Sequence, residues 1–283
     1  MIVKQPEEDK GERTMNFITI SEMLGTNGER IAREVAKTMD FPFYGKEELF
    51  KAADEMGLLH GIEKVQIKSP PLLEKFFSDQ PRIYLDRFQS VIYEVAKKGN
   101  ALFFGKGSTI LLRSFDCALH VLVIGSIEKR VQRVMQTNNV GREIAEKMVQ
   151  TSDREKRGFF RYAFDENWPN PLLYDLTLNT DTLTVDTAVK IVVDAAKAEE
   201  IKACGTDAVK LLGKFSLQRR IESALLEAGI TSPPLFFKLE DTDSVRLFGS
   251  VGSSAEKREV MEILKEIKEI KKIRDDLTVL TLR

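Results

Sequence analysis

Apolar positions along this chain fall into short continuous runs, separated by stretches in which they recur at helical spacing. The first run, Phe17 to Ser21, reads as a strand. A tight loop carrying Gly25 and Gly28 follows, and Ile31, Ala32, Val35 and Ala36 then predict an amphipathic helix. Phe41–Tyr44 reads as a short extended piece with Pro42, leading into a helical segment through Met56. Residues 61–82 are mixed, with Pro70, Pro71 and Pro81 as breakers. Next come a helix over Ile83–Lys98, a strand at Ala101–Phe104, a strand at His120–Ile124 and a helix carrying Val131 and Val134. A long charged helical region spans 141–162, Tyr174–Leu178 is a third buried strand, and Thr184–Ala198 is an amphipathic helix. Apolar strands alternating with helices predict an α/β fold, a parallel sheet covered on both faces. Ligands of such sheets bind at the carboxyl ends of the strands, where the loops after Ser21, Phe104 and Gly125 open.

The pattern then changes. Residues 199–214 turn to Lys, Glu, Ala and Gly and read as a linker between a domain over 15–198 and a second over 215–283, with 1–14 a polar, loose leader. The second domain reads as a helix through Leu217, Ile221 and Leu225 closing at Gly229, and strands near Pro234–Glu240 and Ser244–Val251. A charged helix through Val260, Ile263 and Ile267 and a strand at Leu277–Leu282 complete it. This is a small α+β unit of order α-β-β-α-β, near the lower size limit for an independent core. Phe236, Phe237 and Phe248 read as core residues of this unit or, as the lesser alternative, as an exposed apolar face.

Composition narrows the function classes. Over 283 residues the net charge is -1, which gives no global field for nucleic acid, and the 42% apolar content suits a folded chain. No apolar run reaches the roughly 18–20 residues of a membrane span. Cys117 and Cys204, far apart and assigned to different domains, predict neither a disulfide nor a metal site and agree with a reducing cytoplasm. Only His60 and His120 are present, which disfavours a histidine metal centre or triad, and His120 reads as a core residue.

Four stretches could carry chemistry. The loop Gly25, Thr26, Asn27, Gly28, Glu29, Arg30 opens a helix, where backbone amides suit a phosphate, or it is an ordinary turn capped by Thr26 or Asn27. It lacks the Lys of the GxxxxGK[ST] pattern, and Glu22 stands where that pattern has its first glycine. Lys106, between Gly105 and Gly107, follows a strand and could meet a ligand, or sit in a plain turn. A basic series holds Arg142, Lys147, Arg154, Lys156, Arg157 and Arg161, with Asp153 among them. Arginine forks on a mobile helix can grip phosphate oxygens and offset transferring charge, whereas Glu143, Glu146 and Glu155 could equally pair a solvated face. Arg130 and Arg133 lie on the helix after His120–Ile124 and could reach a ligand's base or the hinge of the long charged helical region, or be solvated at the surface.

Together these stretches resemble the cytidylate-kinase-like family of P-loop nucleoside monophosphate kinases over roughly Asn16 to Ala198. The resemblance rests on the Ser21-to-Gly28 loop, "FPFYGKEEL", "LFFGKG", "SIEKRVQRVM" and above all "SDREKRGFFRYAFDENWPNPLLYDLTLNT". It implies a P-loop kinase-type parallel sheet, phosphoryl transfer from ATP with Mg2+ to a CMP-like nucleoside monophosphate, and a closing helix. In that frame Gly25 to Arg30 hold the donor phosphates. Lys106, Arg130, Arg133 and Asp153 serve the acceptor side, and Arg154, Arg157 and Arg161, with Lys106, act in catalysis. The loop departs from the family at Glu22 (Arg there), at Asn27 (Gly there) and in the order Glu29–Arg30. Those departures open the alternative of an inactive kinase-fold sensor or scaffold. Residues 215–282 resemble the BON domain through "SVRLFGSVGSSAEKREV" and "IKKIRDDLTVLTL". That resemblance implies a lipid or protein partner and a role in regulation or attachment.

Overall fold

The computed structural model describes residues 15–58, 81–201, 203–230 and 234–280, so the expected leader and the Pro70–Pro71 stretch lie outside the described residues. Strand β1 (Phe17–Glu22) is central in a five-stranded parallel sheet with β2 (Phe43–Tyr44), β3 (Ala101–Phe104), β4 (Ala118–Ile124) and β5 (Leu176–Asn179), in the order β2-β3-β1-β4-β5. Its period-two alternation explains both cores. Phe17 joins Phe103, Leu49, Val91 and Phe115 on one face, and Ile18 and Ile20 join Leu102, Val121 and Val123 on the other. The first core is covered by α2 (Lys46–Glu55) and α3 (Pro81–Ala96). The second is covered by α1 (Gly28–Met39) and α7 (Val185–Ala196), whose residues Ile31, Val35, Ala188 and Val192 are fully buried.

A short helix α4 (Ser108–Leu111) follows β3, and α5 (Ile127–Asn138) and α6 (Arg142–Phe164) follow β4. The helices predicted over 83–98, 141–162 and 184–198 are thus present within two residues at most ends, α7 starting after a Thr184 side chain that accepts from the Thr187 amide at 3.2 Å. Strand β5 is shifted and shortened from the expected Tyr174–Leu178. It lies at the sheet edge with only Leu178 buried, so it lacks the double-sided burial an apolar run implies. His120 is buried as expected, with Nδ1 2.7 Å from Thr19 Oγ1, and burial lowers its pKa to about 4.

Two expectations are corrected at the junction. From Thr206 onward the expected linker is part of one long helix, α8 (Thr206–Glu227). Leu212 is buried in the first core and Phe215 packs there, 5.3 Å from the Tyr93 ring, whereas Leu217, Ile221 and Leu225 are buried in the second domain. A helix that serves two cores on different faces shows no single apolar stripe, which is why its first turns look unpatterned. Cys117 and Cys204, expected to be unpaired, form a disulfide with Cα atoms 5.3 Å apart. Met15 and Cys204 exchange backbone hydrogen bonds of 3.0 Å, which brings Cys204 beside the start of β4.

The second domain has the expected α-β-β-α-β order: the second half of α8, β6 (Leu235–Leu239), β7 (Ser244–Val251), α9 (Ser254–Glu266) and β8 (Lys272–Val279). β7 pairs antiparallel with β6 and parallel with β8. The last strand starts earlier than predicted, because Lys272, Arg274, Asp275 and Asp276 are exposed and hide the strand period. Phe236 and Phe248 follow the lesser alternative, an exposed apolar face, rather than the core. They stack with ring centroids 5.7 Å apart on the open face of the sheet, and Phe237 is the one that packs toward the core. Gly249 (φ +100°) lies where a Cβ would meet the Pro234 carbonyl oxygen at 2.1 Å, a close backbone approach that only glycine permits.

Candidate functional site

The carboxyl end of β1 delivers the chain into the glycine loop. Asn27, in the left-handed region with φ 61°, turns the backbone into α1 without capping it through its side chain. Gly25 cannot carry a Cβ, since one would lie 2.6 Å from the Arg130 carbonyl oxygen. The Gly28 amide at the helix start is the position from which an anion would be bound. It already holds one. Glu22 Oε2 accepts from the Gly28 N–H at 2.9 Å and from Thr26 Oγ1 at 3.4 Å. A Cβ on Gly28 would stand 2.5 Å from Glu22 Cβ and 2.7 Å from Glu22 Oε2, so the absence of a side chain at position 28 makes room for this carboxylate.

Lys156 on α6 completes the arrangement. Its Nζ donates to the Glu22 carbonyl oxygen at 2.5 Å and lies 5.3 Å from the centre of the Trp168 ring. Trp168 is fully buried and anchored through its indole N–H to Ser21 Oγ at 2.9 Å. Burial raises the Glu22 pKa, opposed by Lys156 and by the amides of Gly28 and Glu29. Burial likewise lowers that of Lys156, opposed by Glu22 and Asp153. Each charge offsets part of the other's desolvation.

A cavity of about 600 Å³ opens beside this pair, between the ends of β1 and β3, the start of α2 and the inner face of α6. Glu22, Glu29, Glu47, Glu48 and Glu155 face Arg33, Lys46, Lys106 and Lys156 across it. Carboxylates therefore outnumber cations, an unusual balance for a polyphosphate site. Arg33 is held by Glu29 at 2.8 Å and Glu48 at 3.4 Å and lies over the Phe43 ring at 4.1 Å.

The residues singled out from the sequence divide into three groups. Glu29 and Lys106 line the cavity. Arg130, Arg133 and Asp153 hold the glycine loop in place from behind. Arg130 is 3% exposed, and its guanidinium grips Asp153 at 2.7 and 2.9 Å and donates through Nε to the Leu24 carbonyl at 2.8 Å. Arg133 donates to the carbonyls of Gly25 at 3.3 Å and Thr180 at 2.5 Å. Arg154, Arg157 and Arg161 form the third group, on the exposed side of α6. Arg157 is 4.0 Å from Asp153, and Arg161 pairs with Asp165 at 3.5 Å. Arg30, on the first turn of α1, is exposed as well. The sequence marks Glu22 as a departure from the loop pattern and Lys156 as one of the basic series without assigning either a role in the site, although the signal for Lys156 is present. Val149, Asp153, Lys156 and Phe160 recur at intervals of four, three and four, the inward face of one helix.

With Glu22 seated there, the loop does not fit a nucleoside triphosphate, because the carboxylate takes the amide a phosphate would use. Among the described residues no group of three or more His, Cys, Asp or Glu side chains is arranged to hold a metal ion, and no helix is long and apolar enough to cross a membrane.

A parallel sheet of this order with a helix-opening glycine loop at its centre is the frame of a phosphate-binding α/β protein. A sequence profile of the cytidylate kinase-like family matches residues 17–182, more than half of the chain, and the chain belongs to that family. The cytidylate kinase of Pyrobaculum calidifontis is 24% identical over 182 residues, covering 64% of this chain and 92% of that protein. The cytidylate kinase of Pyrobaculum aerophilum is 26% identical over 185 residues with the same coverage. An uncharacterized protein from Eubacterium ventriosum shares the fold, with a TM-score of 0.53 at 20% identity, over 64% of this chain and 98% of that one.

Proposed function

We propose that the chain is a nucleotide phosphotransferase of the cytidylate kinase type whose donor-phosphate cradle is occupied by its own Glu22. ATP with Mg2+ then enters only in competition with that carboxylate, and transfer to a CMP-like acceptor is correspondingly suppressed. The contact between Glu22 Oε2 and the Gly28 amide carries this reading. Family membership and the cytidylate kinases among the relatives support the reaction class. Lys156, already at the mouth of the cradle, supports the idea that a displaced Glu22 leaves a cationic, amide-lined site.

A second reading has its own support. The continuous helix α8 joins the nucleotide-binding body to the C-terminal unit, as an inactive sensor or scaffold signalling through a BON-like module would require. In that case the module would serve attachment to a lipid or protein partner. Thermal-shift series with ATP, CTP and CMP, with and without Mg2+, combined with product detection, separate the readings. Ligand at 100 times its Kd raises stability by about 2.7 kcal/mol. A shift with ADP formation supports the phosphotransferase, and a shift without product supports the sensor. No shift in either the wild type or Glu22→Ala overturns both.

A further inference from the structure

A second cavity, of about 260 Å³, lies away from the glycine loop, between α3, α4, the end of α6 and α8. Asp86 and Gln89, one turn apart on α3, line it and are 1% and 3% exposed. Asp86 Oδ2 and Gln89 Oε1 are both buried without a hydrogen-bond partner. Buried acceptors left without donors are costly and uncommon, and an ionised carboxylate can only accept. The nearest cations are loosely placed: Arg82 Nε is 3.6 Å from Asp86 Oδ2, and Arg219, committed to Glu222 at 2.7 Å, is 3.5 Å from Asp86 Oδ1. The aromatic residues Tyr93 and Phe164 also line the cavity. Acceptors thus lie inside, aromatic surface lines the wall, and guanidinium groups stand at the more exposed rim.

We propose that this cavity is a second nucleotide site that takes a guanine base. The pairing edge of guanine presents two adjacent N–H donors, matching two buried acceptors, Gln89 Oε1 with no hydrogen bond and Asp86 Oδ2 with only the 3.6 Å contact to Arg82, whereas adenine and cytosine each present a donor beside an acceptor. Enzymes that read single bases use this same combination of edge hydrogen bonds and stacking. The volume is below that of a typical drug-sized pocket and suits a base with its sugar outside. A phosphate extending from it would meet Arg82 and Arg219, whose planar forks suit phosphate oxygens. The site does not depend on how the Glu22 cradle works. It does share α6 with Lys156 and α8 with the C-terminal unit, so an occupant would touch the elements that join the two.

Calorimetric titration of the full chain with GMP and with AMP tests the assignment. GMP is expected to bind at least tenfold more tightly than AMP. Asp86→Asn and Gln89→Leu should each erase that preference while retaining a cooperative melt, and Lys156→Ala, in the other cavity, should leave GMP affinity unchanged. Equal affinity for GMP and AMP, absence of GMP binding, or GMP binding lost in Lys156→Ala and kept in Asp86→Asn would each overturn it.

Discussion

At position 22 a carboxylate does what a bound phosphate would do: it accepts from the first amide of a helix behind a glycine loop. A hydrogen bond to a charged acceptor contributes about 1.5–3 kcal/mol, so displacing Glu22 should weaken polyphosphate binding by about 10- to 100-fold. Arg130 has a different task. Its buried fork joins the loop to α6 through Asp153. Arg130→Ala would strand a buried carboxylate and should destabilise the protein by about 3–5 kcal/mol in urea denaturation, whereas a change under 1 kcal/mol would show the pair to be dispensable. Asp86 gives a pH signature. Burial first, then Glu222, raises its pKa to about 6, against the opposing charges of Arg82 and Arg219. The folded state therefore favours the protonated form. That contribution is full below the ordinary carboxylate value and is lost as pH rises through about 6. Asp86→Asn should be more stable than wild type at pH 7, by up to about 2–3 kcal/mol, with the gap closing toward pH 4. A gap constant with pH would place the effect elsewhere.

Among the elements, α6 is the most informative. Its charge-rich sequence suggests arginines closing over a ligand, yet its geometry turns Lys156 inward and leaves Arg154, Arg157 and Arg161 outward. Lys156→Ala should at least halve the Mg·ATP-induced thermal shift, while Arg157→Ala should leave it within error. The reverse order would mean that α6 rotates on binding. How far the elements can be read from the sequence follows from how they are buried. β1, β3 and β4 are covered on both faces and show as apolar runs, and α1 and α7 carry clean stripes. β8 has one exposed face loaded with charge, and α8 divides its apolar residues between two cores, so neither shows the period of its own class. The glycine loop is legible from its glycines, and Glu22 stands out in it as a departure. Its contact with the Gly28 amide is not legible, because a carboxylate six residues before an amide reaches it only through the turn that Asn27 makes.

For the molecule as a whole, α8 and the Cys117–Cys204 bond change the picture from two beads on a linker to two bodies joined by a shared helix. Two ion pairs, Arg219 with Asp86 and Arg87 with Glu227, add to the seam between α3 and α8. The disulfide joins residues 87 apart in sequence, and such crosslinks typically contribute about 2–4 kcal/mol. Calorimetry should show one cooperative transition for the oxidised protein and a lower melting temperature after reduction. Two separated transitions in the oxidised protein would contradict the shared-helix architecture. The disulfide escaped sequence reading because Cys204, beyond residue 198, was read as lying outside the domain that holds Cys117. The pairing of Met15 with Cys204 shows that the chain returns to the first domain before leaving it.

The central claim, a phosphate cradle filled by its own side chain, is tested most directly by calorimetric titration of Mg·ATP into wild type and Glu22→Ala under identical conditions. The account predicts that removing the carboxylate tightens binding by about 10- to 100-fold. Equal affinities, or weaker binding by Glu22→Ala, would contradict it.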